Sequence, residues 1–250
     1  MKKLLLFVLC GLFMGTVSAQ DENGKLKNEG NAALRAKNYK EAFAKYEQYL
    51  KAVEYKDPAI VFNTAFCADK IKDYAAADKY FTMSIQNKYK LASAYLGKAN
   101  ALQDQKKIPE MLKTLEEGMK ANPGQAGAKL EKMYAVHYLK EGQKFQKENK
   151  VEQAAECYAK ITQMVNKGMK TNGYLSLGTL YFNNGATILQ KAHEYATTEV
   201  DRYNAEKTKA LNSFKKAQDY LVQASSLSPE NPEVKEAMKA VKEAMAPLTK

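Results

Sequence analysis

The chain has 250 residues, a formal net charge of +11 and a hydrophobic fraction of 45%. This length is enough to bury a substantial core as one domain or one array of repeats. Three cysteines are too few for a disulfide scaffold. The positive charge favours acidic partners, but the lysines alternate with glutamates instead of clustering, which argues against a nucleic-acid-binding face.

The N-terminal segment has the pattern of a secretory signal peptide. Two lysines precede an apolar run from Leu4 to about Met14, and the segment ends in the small-residue sequence VSA. We therefore predict that residues 1–19 are a signal peptide. The apolar run is shorter than the roughly 20 residues that span a bilayer. The expected location is the periplasm, with secretion, or a lipid anchor on Cys10, as less favoured alternatives.

Removal of this segment would lower the net charge from +11 to +9, because it contains Lys2 and Lys3. It would leave two cysteines, Cys67 and Cys157, which the repeats place far apart. We expect two free, mostly buried thiols that behave as small hydrophobic side chains. No later segment is apolar enough to cross a membrane.

The first part of the remaining chain is predicted to form three helical hairpins. Apolar residues recur at helical spacing in the remaining chain, and prolines stand at expected helix ends. Ala42 and Ala77 occupy the same register in the second helices of the first two hairpins, 35 residues apart, and Met111 follows after 34. The paired helices are expected at residues 25–36 and 39–52, 59–71 and 74–86, and 91–104 and 108–120.

The later helices are predicted to be longer. A helix over residues 126–147 precedes one that begins at VEQAAECYAKI. Two long helices, 174–197 and 200–226, are expected to form an antiparallel pair that extends beyond the array. A last helix, 233–245, would cover the final apolar face, as a helical array requires for solubility.

A helix-turn-helix unit with this period resembles the tetratricopeptide repeat (TPR) family. The best single match to the family is YLSLGTLY, residues 174–181. Small residues recur where the first helix of each pair should cross the second, so that the two backbones can approach closely. In the first helices these are Gly30, Ala65, Ala99, Gly142 and Gly178, and in the second helices Ala42, Ala77, Ala154 and Ala217. One turn further along, each second helix has a large residue: Tyr46, Phe81, Leu115, Tyr158 and Leu221.

The resemblance implies an all-α fold, a right-handed α-solenoid of about five TPR units. The fourth and fifth units are lengthened, and a C-terminal helix caps the array. In this prediction residues 20–122 contain units 1–3, and residues 123–250 contain units 4–5 with the extended helices and the cap.

The resemblance also implies a concave groove, lined by the first helices, that binds an extended peptide. Amide side chains can bond the peptide backbone, and aromatic rings can receive its side chains. The residues at the family's groove positions are Lys27, Asn31, Phe62, Asn63, Phe66, Leu96, Asn100, Lys140, Gln143 and Thr179.

Part of this set is similar to the carboxylate clamp of some family members, which holds the C-terminal carboxylate of a peptide. Lys27, Asn31 and Asn63 match its first half. The two cationic positions of the clamp correspond here to Ser93 and Gly97, which carry no charge. The alternative is that Lys27 is a solvated helix residue and Asn31 an ordinary groove amide.

No catalytic constellation is evident, and neither His137 nor His193 has a metal ligand at suitable spacing. The expected function is a non-enzymatic interaction scaffold of the cell envelope without cofactors. Its expected partner is a protein or peptide, another envelope protein, and not a nucleic acid. An alternative is a binder of an anionic envelope polymer, glycan or peptidoglycan, through the basic surface.

Overall fold

The computed structural model describes residues 21–248, and the predicted signal peptide with Cys10 lies outside the described residues. Within residues 21–248 the secondary structure is helical, with turns between the helices and no strand. The all-α prediction is therefore confirmed.

The helices follow one another in short antiparallel pairs, with 3₁₀ turns at Gly124–Gly127, His193–Tyr195 and Ala246–Leu248. They are α1 (residues 21–35), α2 (Tyr39–Ala52), α3 (Pro58–Lys70), α4 (Tyr74–Gln86), α5 (Leu91–Asp104), α6 (Ile108–Ala121), α7 (Ala128–Lys147), α8 (Val151–Ile161), α9 (Lys167–Ala192), α10 (Val200–Leu227) and α11 (Pro232–Met245).

The chain divides into two compact units between Leu130 and Glu131. The described part of the N-terminal unit, residues 21–130, contains α1 to α6. The C-terminal unit contains most of α7 and all of α8 to α11.

In four of the helix pairs, the turn between the two helices has a residue in the left-handed conformation at the same position. Lys37, Lys72, Lys106 and Asn149 have φ values of 61°, 63°, 61° and 57°. In each case the amide of the next residue donates to a carbonyl five residues earlier, at 2.9 Å. This is the Schellman arrangement, which satisfies the last carbonyls of the first helix and reverses the chain.

Polar side chains begin several of the helices. Asn38 and Asp73 accept hydrogen bonds from the amides three residues later, at the starts of α2 and α4. Asp57 does the same for α3, and Pro58 occupies the first helical position. Such residues satisfy amides that have no partner inside the helix, which explains why the predicted starts of α2 and α4 agree with the structure.

Close helix crossings form the core of the N-terminal unit. Ala42, Ala65, Ala77 and Ala99 are fully buried. Gly30 packs directly on the ring of Tyr46, and a β-carbon at Gly30 would lie 2.6 Å from two ring carbons. The small residues predicted at these crossings are therefore located where two helices meet.

The C-terminal unit repeats this packing with different large residues. A β-carbon at Gly142 would lie 2.4 Å from the ring of Tyr158, and one at Gly178 would lie 2.6 Å from Leu221. Tyr158 and Leu221 are both buried, with exposures of 2% and 0%. The predicted pairing of a small residue in the first helix with a large one in the second is present here too.

Helices α9 and α10 pack against each other as a long antiparallel pair. Tyr181 and Tyr220 stack with ring centroids 5.7 Å apart. The Ser213 hydroxyl donates to the Tyr181 carbonyl at 2.8 Å and accepts from the Asn184 amide at 3.0 Å. These contacts hold the two helices together beyond the crossing at Gly178.

Helix α9 begins at Lys167, seven residues before the predicted start at Tyr174. Asn166 caps it by accepting a hydrogen bond from the Met169 amide at 3.0 Å. The buried carboxylate of Glu131 also accepts from the amides of Val165 and Asn166, at 2.8 and 3.0 Å. The prediction missed this start because it did not use Asn166 as a helix cap, and because the contacts of Glu131 come from about 35 positions earlier in the chain.

Candidate functional site

Seven of the predicted groove residues lie on the first helices of the N-terminal unit. Lys27 and Asn31 are on α1, three residues including Asn63 are on α3, and two including Asn100 are on α5. Asn100 is exposed and the other six are partly buried. We call this set the N-terminal surface: Lys27, Asn31, Phe62, Asn63, Phe66, Leu96 and Asn100.

Lys27 is paired within the protein. Its ammonium contacts Oδ2 of Asp57 at 2.7 Å, and the Tyr49 hydroxyl donates to the same oxygen at 3.0 Å. The hydrogen bond to Asp57 raises the pKa of Lys27. Burial would raise the pKa of Asp57, but hydrogen bonds from Lys27, the Ile60 amide and Tyr49 outweigh burial and hold this pKa below its usual value. A peptide carboxylate would therefore have to compete with Asp57 for Lys27.

Asn31 is held by a buried tyrosine. The Tyr46 hydroxyl donates to Oδ1 of Asn31 at 2.8 Å. Burial raises the pKa of Tyr46 to about 12. Because the contact with Tyr46 uses the oxygen of Asn31, it leaves the two N–H donors of that amide for another acceptor.

Phe62 belongs to an aromatic cluster on the N-terminal surface. Its ring lies edge-on to Phe81 and Tyr89, at centroid distances of 5.8 and 6.1 Å. The Lys90 ammonium is 4.9 Å from the Phe62 centroid, a favourable cation–π distance. A β-carbon at Gly97 would lie 2.3 Å from Phe81. The ring of Phe81 thus occupies the place of the side chain that a clamp cation at 97 would need.

Phe66 has aromatic and cationic contacts of its own. It packs edge-on against Tyr39 at 5.9 Å, and the Lys70 ammonium lies 5.1 Å from its centroid. Both predicted phenylalanines therefore combine an apolar ring with a neighbouring lysine. These aromatic and lysine partners could not be predicted from the sequence, because some lie on a different helix from the phenylalanine and others depend on side-chain rotamers.

The remaining predicted residues are exposed on the C-terminal unit. Lys140 and Gln143 lie on α7 and Thr179 on α9. Thr179 lines a cleft of about 330 Å³ where α9, α10 and α11 meet, which we call the α9–α11 cleft. Leu139, next to Lys140, lines a second cavity of about 360 Å³ between α7, α8 and α9.

The α9–α11 cleft and the second cavity have largely apolar walls. The second cavity, which we call the α7–α9 cavity, is lined by Lys132, Ala135, Val136, Leu139, Ile161, Met169 and Asn172. A third, of about 330 Å³, has many amide and hydroxyl groups and is lined by Gln146, Asn149, Val151, Leu180, Asn183, Asn184, Thr187, Ile188 and Lys191. Asn183 also lines the α9–α11 cleft.

A polar stripe on α9 connects these cavities. Asn172, Ser176, Thr179 and Asn183 follow at intervals of four, three and four residues, which places them on one helix face. Asn172, Thr179 and Asn183 are exposed. Only Thr179 was predicted. Helical spacing from Thr179 would have indicated Ser176 within YLSLGTLY, Asn172 before it and Asn183 after it.

Cys67 and Cys157, the cysteines within residues 21–248, are buried and free, as expected. Burial raises the pKa of the Cys67 thiol to about 12 and also raises the pKa of Cys157. A nucleophilic thiolate at neutral pH is therefore not favoured at either position. No group of three or more His, Cys, Asp or Glu side chains within residues 21–248 is arranged to hold a metal ion.

No helix in the described part of the chain is both long and apolar enough to span a membrane.

No protein-family model matches the chain, and no curated protein is significantly similar to it. A crystal structure of a TPR repeats protein from Bacteroides fragilis is 47% identical in sequence and superposes with a TM-score of 0.84. The match covers 89% of this chain and 98% of that one. This chain belongs to the tetratricopeptide repeat family. The predicted family and the helical-repeat fold are confirmed.

Two further TPR structures have lower sequence identity to this chain. The TPR domain of P58(IPK) is 12% identical with a TM-score of 0.45, and the match covers 95% of this chain and 69% of that one. The TPR2AB domain of yeast Sti1, in complex with pHSP90, is 13% identical with a TM-score of 0.37 over 89% of this chain and 99% of that one.

Proposed function

We propose that this TPR protein is a non-enzymatic scaffold that binds an extended peptide or protein segment along the first helices of its repeats. The observation that supports this most directly is the polar stripe on α9, with apolar cavities beside it. An extended chain needs backbone hydrogen-bond partners together with pockets for its side chains. The stripe offers amide and hydroxyl groups, and the cavities offer apolar volume.

The N-terminal surface has the same two components. Asn31, Asn63 and Asn100 supply amides, and Phe62 and Phe66 supply partly exposed rings. The buried Tyr46 hydroxyl fixes Asn31 in one orientation, so less side-chain entropy is lost when a peptide binds. Because Asp57 neutralises Lys27, this surface suits the middle of a peptide better than its C-terminal carboxylate.

The proposed location is the periplasm, and the proposed partner is another envelope protein. Support comes from the signal-peptide pattern of residues 1–19. A scaffold in this compartment would hold or assemble other exported proteins.

The first test is site-specific photo-crosslinking in the native envelope. A benzoylphenylalanine at Thr179 faces the α9–α11 cleft, and one at Lys160 occupies an exposed position on α8. We expect a protease-sensitive adduct from position 179 that is absent from position 160. Equal adducts from both positions, or none from position 179, would contradict groove binding.

A salt titration separates the proposal from the anionic-polymer alternative. Binding of a polymer through surface lysines would weaken steeply as salt rises, because exposed charges are screened. Peptide capture in apolar cavities would weaken only mildly. Polymer binding is measured by sedimentation with isolated peptidoglycan at low and high salt. The crosslinking yield is measured under the same salt conditions.

A further inference from the structure

The α9–α11 cleft has an apolar interior. Leu175 and Phe182 contribute from α9, Leu221 from α10, and Ala237 and Val241 from α11. Its volume of about 330 Å³ is at the lower end of the range for ligand pockets. This size suits part of a bound segment rather than a whole ligand.

The charged residues that line this cleft are both acidic. Glu233 and Glu236 lie exposed on α11, and neither forms an ion pair within residues 21–248. The two nearest lysines on this helix are paired with other carboxylates, Lys235 with Glu230 at 2.7 Å and Lys239 with Glu243 at 3.9 Å. The cleft therefore has a locally negative rim in a chain with a net charge of +11.

We propose that the α9–α11 cleft receives an apolar side chain of a partner protein segment that carries a Lys or Arg beside it. This rests on the proposed function, and it specifies the chemistry of the segment. The apolar walls would bury the first side chain, and the carboxylates of Glu233 and Glu236 would accept charge-assisted hydrogen bonds from the second. An Arg could engage one carboxylate through two N–H groups.

The net charge of the protein predicts the opposite preference. A chain at +11 attracts acidic segments at long range, so a preference for basic ones must come from the local rim. The sign of the selected charge therefore separates recognition in the cleft from general electrostatic attraction.

The test is selection of a phage-displayed library of random 12-residue peptides on the immobilised full mature chain. We expect the enriched peptides to place Lys or Arg next to an apolar residue at least threefold more often than the starting library. A double variant, Glu233→Gln with Glu236→Gln, should lose this enrichment. Asp219→Asn alters an exposed carboxylate on α10 outside the cleft lining and should retain it.

Each other outcome points to a different failure. Enrichment without basic residues, or the same loss in Asp219→Asn, would overturn the charge preference and leave peptide binding intact. No enrichment over the library would contradict the proposed function itself. If Glu233→Gln disturbs the start of α11, seen as reduced helicity by circular dichroism, Glu236→Gln alone should still lower the basic enrichment. If Glu236→Gln alone leaves the enrichment of basic residues unchanged, the inference is also overturned.

Discussion

Replacing Gly142 with Ala tests the close packing on which each helix pair depends. The new β-carbon would lie 2.4, 2.8 and 2.9 Å from three ring carbons of Tyr158. The ring cannot move away easily, because it is 2% exposed and its hydroxyl donates to Oε1 of Gln146 at 2.9 Å. One added methyl group must therefore displace a buried ring that is fixed at its polar end.

The expected cost follows from three contributions. Overpacking a core costs about 1–3 kcal/mol. Losing the Tyr158 hydrogen bond adds about 1 kcal/mol. Ala is a better helix former than Gly by about 1 kcal/mol, which offsets part of the loss. We expect Gly142→Ala to lower the free energy of unfolding by about 1–3 kcal/mol, and the Tm by roughly 3–9 °C for a chain of this length.

The assay is urea denaturation followed by circular dichroism at 222 nm. Gly24→Ala is the matched control, because a β-carbon there has nothing within 4 Å and should leave stability equal or slightly higher. In a Tyr158→Leu background the clash is relieved, so Gly142→Ala should become neutral or stabilising. If Gly142→Ala costs the same in both backgrounds, or nothing in the wild type, the proposed packing is wrong.

Three further predictions concern stability. Glu131→Gln weakens two charged hydrogen bonds at the start of α9 and should cost about 1.5–3 kcal/mol in urea denaturation. Because the pKa of Asp57 is lowered in the folded state, its contribution is present above the unfolded pKa of about 4 and is lost as the pH falls through the folded value. The difference in urea midpoint between wild type and Asp57→Asn should therefore shrink below about pH 4, and a constant difference from pH 3 to 7 would contradict this. Lys72 has a φ of 63°, a left-handed conformation that Gly adopts without strain. Lys72→Gly should therefore stabilise the chain by up to about 1 kcal/mol, and a lower Tm would contradict this.

The sequence predicted the helices best where local signals define both ends. The bounds expected for residues 39–52 and 74–86 agree with α2 and α4, which begin at the caps Asn38 and Asp73. The start of α9 was wrong by seven residues, because the local cap Asn166 was not used and Glu131 supports the start from another helix. A local pattern cannot indicate a hydrogen bond across 35 positions of sequence.

The candidate site was predicted only in part for a similar reason. The resemblance to the family predicted Asn31, Asn63 and Thr179 as groove residues, and the structure places them on α1, α3 and α9. It could not show that Asp57 neutralises Lys27, or that the Tyr46 hydroxyl holds Asn31, because these contacts depend on how different helices pack. The acidic rim of the α9–α11 cleft was missed because α11 was predicted only as a cap.

The packing of Phe81 on Gly97 restricts how this protein could acquire a new specificity. A carboxylate clamp would need a cation at position 97, yet its first side-chain carbon would lie 2.3 Å from the Phe81 ring. Phe81 also supports Phe62, so shortening it would loosen a second ring. Selection for terminal carboxylates would therefore have to pass through a paired replacement at 81 and 97, because neither single change is neutral.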